Sequence, residues 1–140
     1  MSDGDCRACR PDWPPAESFI ADCGPARAYL HDDQFFPGWT LLILRRHATE
    51  LYELDREERA ALMEAVTDVA RALAATFEAV KMNYELLGNL VPHIHWHLVP
   101  RRGDDPIPRQ PVWTLPHEPR VLAPAERRAR IEAIRRHLRP

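Results

Sequence analysis

No stretch of this chain approaches the roughly 20 consecutive apolar residues that a membrane-crossing helix needs, so no membrane partner is expected. Charge of one sign is also missing. The formal net charge is −2, with 45% apolar and 29% charged residues, which leaves no basic field to recruit nucleic acid. Cysteine is scarce: three in 140 residues, two of them in "CRAC", too few for an oxidised disulfide framework. The opening "MSDGDCRACRPDW" lacks a basic segment followed by an apolar one, so no secretion signal is expected. A reduced, cytoplasmic setting follows as the expectation. Glycine is sparse at five, proline plentiful at 14, and the length suits a single domain with a real core.

What the chain does have is organised. A brief helix is expected at 16–22. "ARAYLHDDQFFPGWTLLILRRH" predicts strands at 26–30 and 39–44 around Pro37-Gly38. Asp55 with Glu58 resembles a capping box, opening a helix whose stripe (Leu62, Val66, Val69, Leu73, Phe77, Val80) runs to about Lys81. "NYELLGN" and "HIHWHLVP" read as two more strands. Residues 102–124 carry six prolines and read as an extended arm. "PAERRARIEAIRRHLR" reads as a helix with Ile131, Ile134 and Leu138 on its apolar side and arginines on a solvated one. This order predicts an α+β fold, an antiparallel sheet with one long helix packed on it.

The chemistry lies in "NLVPHIHWHLVPR", where His93, His95 and His97 alternate with Ile94, Trp96 and Leu98. On a strand they share one face, while the apolar residues bury the other. Chance explains three imidazoles poorly, because wet strand faces usually carry Thr, Lys, Glu or Arg. One metal ion held by all three fits badly. Alternate residues lie roughly 6.6 Å apart, so His93 and His97 start about 13 Å apart, too far for bonds of about 2.0 Å. The third reading divides the labour: one imidazole anchored, one attacking, one donating hydrogen bonds or protons. A ring whose one nitrogen donates to a carbonyl keeps a free lone pair on the other, which is a nucleophile towards phosphorus.

"HIHWHLV" resembles the His-φ-His-φ-His-φ-φ signature (φ apolar) of the histidine triad family of nucleotide hydrolases and transferases. "FFPGWTLLILRRHATEL", "CRAC" and "MNYELLGN" resemble further family landmarks in the same order, so the resemblance covers roughly residues 6–101. It implies a nucleotide-binding core at 1–101, with the arm and last helix, 102–140, in the same domain. The likeness is greatest to bacterial members described as diadenosine polyphosphate hydrolases. It further implies His95 as the nucleophile taking the nucleotide's α-phosphoryl group, His97 as its hydrogen-bonding and leaving-group partner, and His93 as the residue that orients His95. Asn83 and Asn89 match phosphate-contact positions, and His31 or Asp32 the ribose position. Leu90 stands where many members have Ser or Thr, so one phosphate hydroxyl contact is missing.

In zinc-bearing members the ligands correspond to Cys6, Cys9, His47 and His93, a closed structural site. No organic cofactor is implied, and magnesium could accompany the substrate's phosphates. The expected partners are a purine nucleotide or dinucleoside polyphosphate and a second copy of the chain, with adenine favoured. Two other activities stay open: hydrolysis of a nucleoside phosphoramidate (an AMP-amine), and nucleotide-binding regulation with weak residual hydrolysis. Trp39 and Trp113 could stack on a base but read first as packing. His117 and His137 belong to no constellation, and Cys23 reads as a small filler.

Overall fold

A computed structural model describes residues 3–138 of the chain. It contains five strands, β1 (Phe19–Cys23), β2 (Ala26–Leu30), β3 (Thr40–Leu44), β4 (Lys81–Glu85) and β5 (His95–Arg101), and two helices, α1 (Arg56–Phe77) and α2 (Pro124–His137). The strands form one sheet in the order β1-β2-β3-β5-β4, each neighbouring pair antiparallel, so the fold is the α+β arrangement expected. Among the described residues no helix is long and apolar enough to cross a membrane.

Alternation decides the faces. Leu42 and Leu44 of β3, with Trp96 and Leu98 of β5, enter the core under α1, which contributes Leu62, Val66, Val69 and Leu73. Their neighbours Leu41 and Ile43 lie opposite His97 and His95 on the other face. Both strands are buried along their whole length, because the arm covers part of that second face. There Phe36, Trp39, Val99 and Val112 form a smaller apolar cluster.

The β2–β3 connection turns at Gly38 with φ 93°, a conformation natural to glycine. A Cβ there would sit 2.6 Å from the Phe77 ring and 2.7 Å from Pro100, so glycine is also required sterically. Asp55 caps α1 as expected, accepting from the Glu58 N–H at 2.8 Å. The box does not close, because the Glu58 carboxylate instead takes Arg46, with contacts of 2.9–3.1 Å.

Several expected boundaries move. Only Ala16–Ser18 of the proposed first helix makes a helical turn; Phe19–Cys23 pairs with β2, since burying Ile20 in the sheet outweighs weak local helix preference. Helix α1 stops at Phe77, where Glu78 goes left-handed at φ 53°. Val80 keeps the helical spacing but is 73% exposed, so the stripe misled by one turn. The strand expected in "NYELLGN" spans Lys81–Glu85, and residues 86–89 are loop. Strand β3 begins at Thr40, one residue after Trp39.

Helix α2 buries Ile131 and Ile134 in the main core; Arg139, expected at its end, lies outside the described residues. Its arginine side is not wholly solvated. Arg135 donates to the carbonyls of Ile20 (2.7 Å) and Phe19 (3.0 Å), satisfying acceptors on edge strand β1.

Candidate active site and metal-ligand cluster

His95 and His97 lie side by side on β5, their ring centroids 5.2 Å apart and both nearly inaccessible. The His95 Nδ1–H donates to the His93 carbonyl at 2.7 Å, since a carbonyl can only accept. Its Nε2 lone pair is therefore the available one. His97 is held from the other side: the Trp39 indole Nε1–H donates to its Nδ1 at 3.1 Å. Burial, followed by the neighbouring imidazoles of His95 and His31, pushes the His97 pKa down to about 4. His31 stacks on Trp39 (4.4 Å, 10°), and its Nδ1 accepts the Asp33 N–H at 3.0 Å. Burial likewise lowers the His31 pKa, against the opposing pull of Asp33 and Asp32.

These rings floor a cleft of about 430 Å³, walled by Leu87, Gly88, Asn89, Leu90 and Val91, with Trp113 from the arm and Arg7 and Trp13 from the N-terminal segment. A wider depression of about 700 Å³ adjoins it, lined by Arg10, Arg27, Arg45 and Arg46. Of these two cavities, the smaller is the one lined by both His95 and His97. The arginines beside it favour an anionic ligand.

The remaining expected ligand contacts divide. His31 and Asn89 line the cleft. Asp32 is exposed and lines a different, much smaller cavity, because the residue after inward-facing His31 points away. Asn83 lies on β4 opposite Val99, beyond the triad and under the arm; its Oδ1 accepts from Arg101 at 2.6 Å. The structure does not bring Asn83 or Asp32 to the cleft.

His93 turns away from the other two. Its Nε2–H donates to the Leu44 carbonyl at 2.7 Å, which leaves the Nδ1 lone pair facing Cys6 (3.4 Å), Cys9 (3.5 Å) and His47 Nδ1 (3.3 Å). Cys9 Sγ lies 3.4 Å from His47 Nδ1, and all four donor atoms fall within 4.8 Å of one another. Bonds of about 2.0–2.3 Å to a tetrahedral ion would separate ligand atoms by roughly 3.3–3.8 Å. The donor set therefore fits a metal ion, and the Leu44 carbonyl is the outer partner that fixes the His93 ring. The division of labour is physical: His93 faces the cluster, and His95 and His97 face the cleft.

Three parts of the site escaped the sequence reading. Gln34, 1% exposed, donates to the carbonyls of His31 (2.9 Å) and Trp39 (2.8 Å) and accepts from Gly38 N–H (2.9 Å), knotting the turn that carries both rings. Trp113, half-exposed, stands edge-on to His97 (5.2 Å) and Trp39 (5.1 Å), with its indole N–H on Glu85. His117 donates from both nitrogens, to the Leu115 carbonyl (2.8 Å) and the Asp33 carboxylate (2.7 Å), clipping the arm to the turn after β2. Neither glutamine nor the two aromatic residues has a periodic signature. An Arg101–Asp105 spacing of four was the one local hint that the arm is anchored.

A family model described as HIT domain matches residues 16–104. Protein hit of Bacillus subtilis (strain 168) is 31% identical over 103 residues, 70% of either chain. A histidine triad protein from Bradyrhizobium japonicum superposes with a TM-score of 0.78 at 34% identity, over 88% of this chain and 92% of that one. A histidine triad (HIT) protein from Sinorhizobium meliloti 1021 gives 0.79 at 30% identity, over 86% and 88%.

Proposed function

This chain belongs to the HIT domain family, and on that premise we propose that it cleaves dinucleoside polyphosphates, diadenosine polyphosphates first among them, through a nucleotidyl group carried on His95. Members of the family are hydrolases or transferases built on a nucleotide-binding fold. The observation that carries the proposal is the His95 Nδ1–H bond to the His93 carbonyl. It holds the ring and directs an Nε2 lone pair into the cleft beside a second imidazole. That lone pair forms the bond to the α-phosphorus, the bond to the bridging oxygen breaks, and water then returns the phosphoryl group as a nucleoside monophosphate. In this reading His97 hydrogen-bonds the phosphoryl oxygens, and Asn89 and His31, which line the same cleft, supply the phosphate and ribose contacts.

In the metal cluster, zinc is the ion we propose, held by Cys6, Cys9, His47 and His93. Bound there, it would act as a structural cross-link between the N-terminal segment and the sheet. A second copy of the chain is the proposed partner, docking along edge strand β4, where Val80 and Tyr84 are exposed. The cytoplasm remains the proposed setting.

The decisive test is His95→Ala against wild type on diadenosine tetraphosphate. The rate should fall at least ~10³-fold with the fold retained, because the nucleophile is lost while the main core is untouched. Rapid-quench mass spectrometry of the wild type should find an acid-labile nucleotidyl group on His95. Near-normal turnover by His95→Ala would refute the covalent route.

A further inference from the structure

We propose that Trp39 is a positioning residue that locks His97 as a neutral imidazole with its proton on Nε2, so that the site expels phosphate leaving groups and discriminates against amines. The proposal rests on the nucleotidyl-transfer reading and deepens it by assigning the class of bond cleaved.

An indole N–H can only donate. With Trp39 Nε1 3.1 Å from His97 Nδ1, that nitrogen must present a lone pair, and the ring's single proton sits on Nε2. Trp39 cannot easily yield. It is 2% exposed, stacked by His31, with its carbonyl accepting from His31 N–H (3.0 Å) and Gln34 (2.8 Å) and its own N–H donating to Phe36 (3.2 Å). To become an imidazolium, His97 would have to place a second N–H head-on against the indole N–H.

The other groups around His97 do not compensate. His31, from the end of β2, and His95, on β5 itself, are imidazoles and bring no negative charge. Leu41 of β3 lies opposite His97 and is apolar. Glu85 of β4 is its cross-strand partner on the other side, but that carboxylate takes the Trp113 indole N–H of the arm. Arg7 of the N-terminal segment, which shares the cleft, is cationic. Burial, and then the imidazoles of His95 and His31, push the His97 pKa down to about 4, in the same direction as the Trp39 contact. His117 is the contrast within the same chain: a carboxylate on one nitrogen and a carbonyl on the other favour its doubly protonated form and raise its pKa.

The consequence follows from the electron pair released at phosphorus. When His95 Nε2 bonds to the α-phosphorus and a P–O bond breaks, the pair stays on the leaving oxygen. That oxygen belongs to a phosphate and is stable as an anion, so no proton need be supplied; a hydrogen bond from His97 Nε2–H is enough. When the bond is P–N, the pair falls on an amine nitrogen, which departs only if it takes up a proton as the bond breaks. Neutral His97 has none to give without becoming an imidazolate, and the His95 Nδ1–H is committed to the His93 carbonyl. Water then attacks the nucleotidyl-His95, the N–P bond breaks with its pair returning to Nε2, and the surplus proton of water goes to solvent.

Two measurements test this. In wild-type protein labelled with 15N-histidine, NMR should show His97 Nδ1 unprotonated and Nε2 protonated, with no conversion to imidazolium down to pH 5. An imidazolium, or a proton on Nδ1, at pH 6 would overturn the proposal. Separately, kcat/KM is compared at pH 6 on diadenosine tetraphosphate and on an AMP-amine conjugate, for wild type and Trp39→Phe. The wild type should prefer the phosphoanhydride. Trp39→Phe removes the opposing N–H and should raise the His97 pKa, with burial and the neighbouring imidazoles still holding it below the ordinary value of about 6.5, and should cut that preference about tenfold, since general acid catalysis is worth ~10²–10⁴-fold. An unchanged preference would overturn the role given to Trp39. Failure of the wild type to cleave either compound would overturn the transfer reading and the leaving-group discrimination with it. The NMR result would still decide the tautomer, as it would if Trp39→Phe did not fold.

Discussion

Arg101 offers the sharpest test of how the arm is held. Its side chain is 3% exposed and that of its partner Asp105 2%. The guanidinium donates to both Asp105 oxygens (2.5 and 3.0 Å), to Asn83 Oδ1 (2.6 Å) and to the carbonyls of Gln110 (2.7 Å) and Ile107 (2.8 Å). Every donor direction is used, and two acceptors are main-chain groups of the segment leading to Trp113. Arg101→Ala removes all of this and leaves a buried carboxylate with the Ile107 N–H donating to it at 2.8 Å. Truncating one member of such a pair costs about 3–5 kcal/mol, a large share of the ~5–15 kcal/mol that stabilises a domain of this kind. Urea unfolding at pH 7 should show that loss, and Trp113 emission should shift red in the folded baseline as the arm loosens.

The same reasoning fixes a pH signature and a rescue. Burial alone would raise the Asp105 pKa; the Arg101 pair and the Ile107 N–H overcome it and hold the carboxyl below its usual range. A depressed folded pKa contributes stability above the unfolded value of about 3.9, lost as pH falls through the folded one. The deficit of Arg101→Ala should therefore be largest near neutrality and shrink in acid, where Asp105 is protonated in either protein. Arg101→Met with Asp105→Leu should lose less than Arg101→Ala alone, because no charge is stranded. A single-mutant loss under about 1 kcal/mol at pH 7 would refute the assignment of Arg101 as the arm's anchor.

Other outcomes follow from the same structure. His117 is opposed by burial but raised by the Asp33 carboxylate and the Leu115 carbonyl. Its contribution is thus complete below about 6.5 and lost as pH rises through the higher folded value; wild type minus His117→Asn stability should decline across that window, and a flat difference would refute the clip. Stripping metal with a strong chelator should lower the melting temperature by several degrees and be reversed by zinc, with Cys6→Ser abolishing the response; protein produced with zinc present that carries none on elemental analysis would refute the zinc assignment. Light scattering at micromolar concentrations should give about twice the 16.2 kDa chain mass, and a monomer with full activity would remove the dimer.

What the sequence made legible was what local periodicity encodes. Alternation in "HIHWHLV" placed His95 and His97 on one face and Trp96 and Leu98 in the core. The Pro-Gly turn placed β2 and β3, and Asp55 started α1 where its capping chemistry said. What stayed hidden was register. Alternation says which face a residue takes but not which residue lies across from it. Leu41 opposite His97 puts Trp39, two residues back on the same face, diagonally beside His97, within reach of its Nδ1. Glu85 opposite His97 puts Asn83 opposite Val99, two residues past the triad and under the arm. Both facts depend on the lengths of the loops that feed β5 between β3 and β4, and on where Gln34 ties the turn before Trp39. No residue announces those constraints in a local pattern, so a tryptophan one position outside a strand reads as packing until the register is known. Once it is known, the direction of a single N–H bond decides which nitrogen of His97 carries the proton.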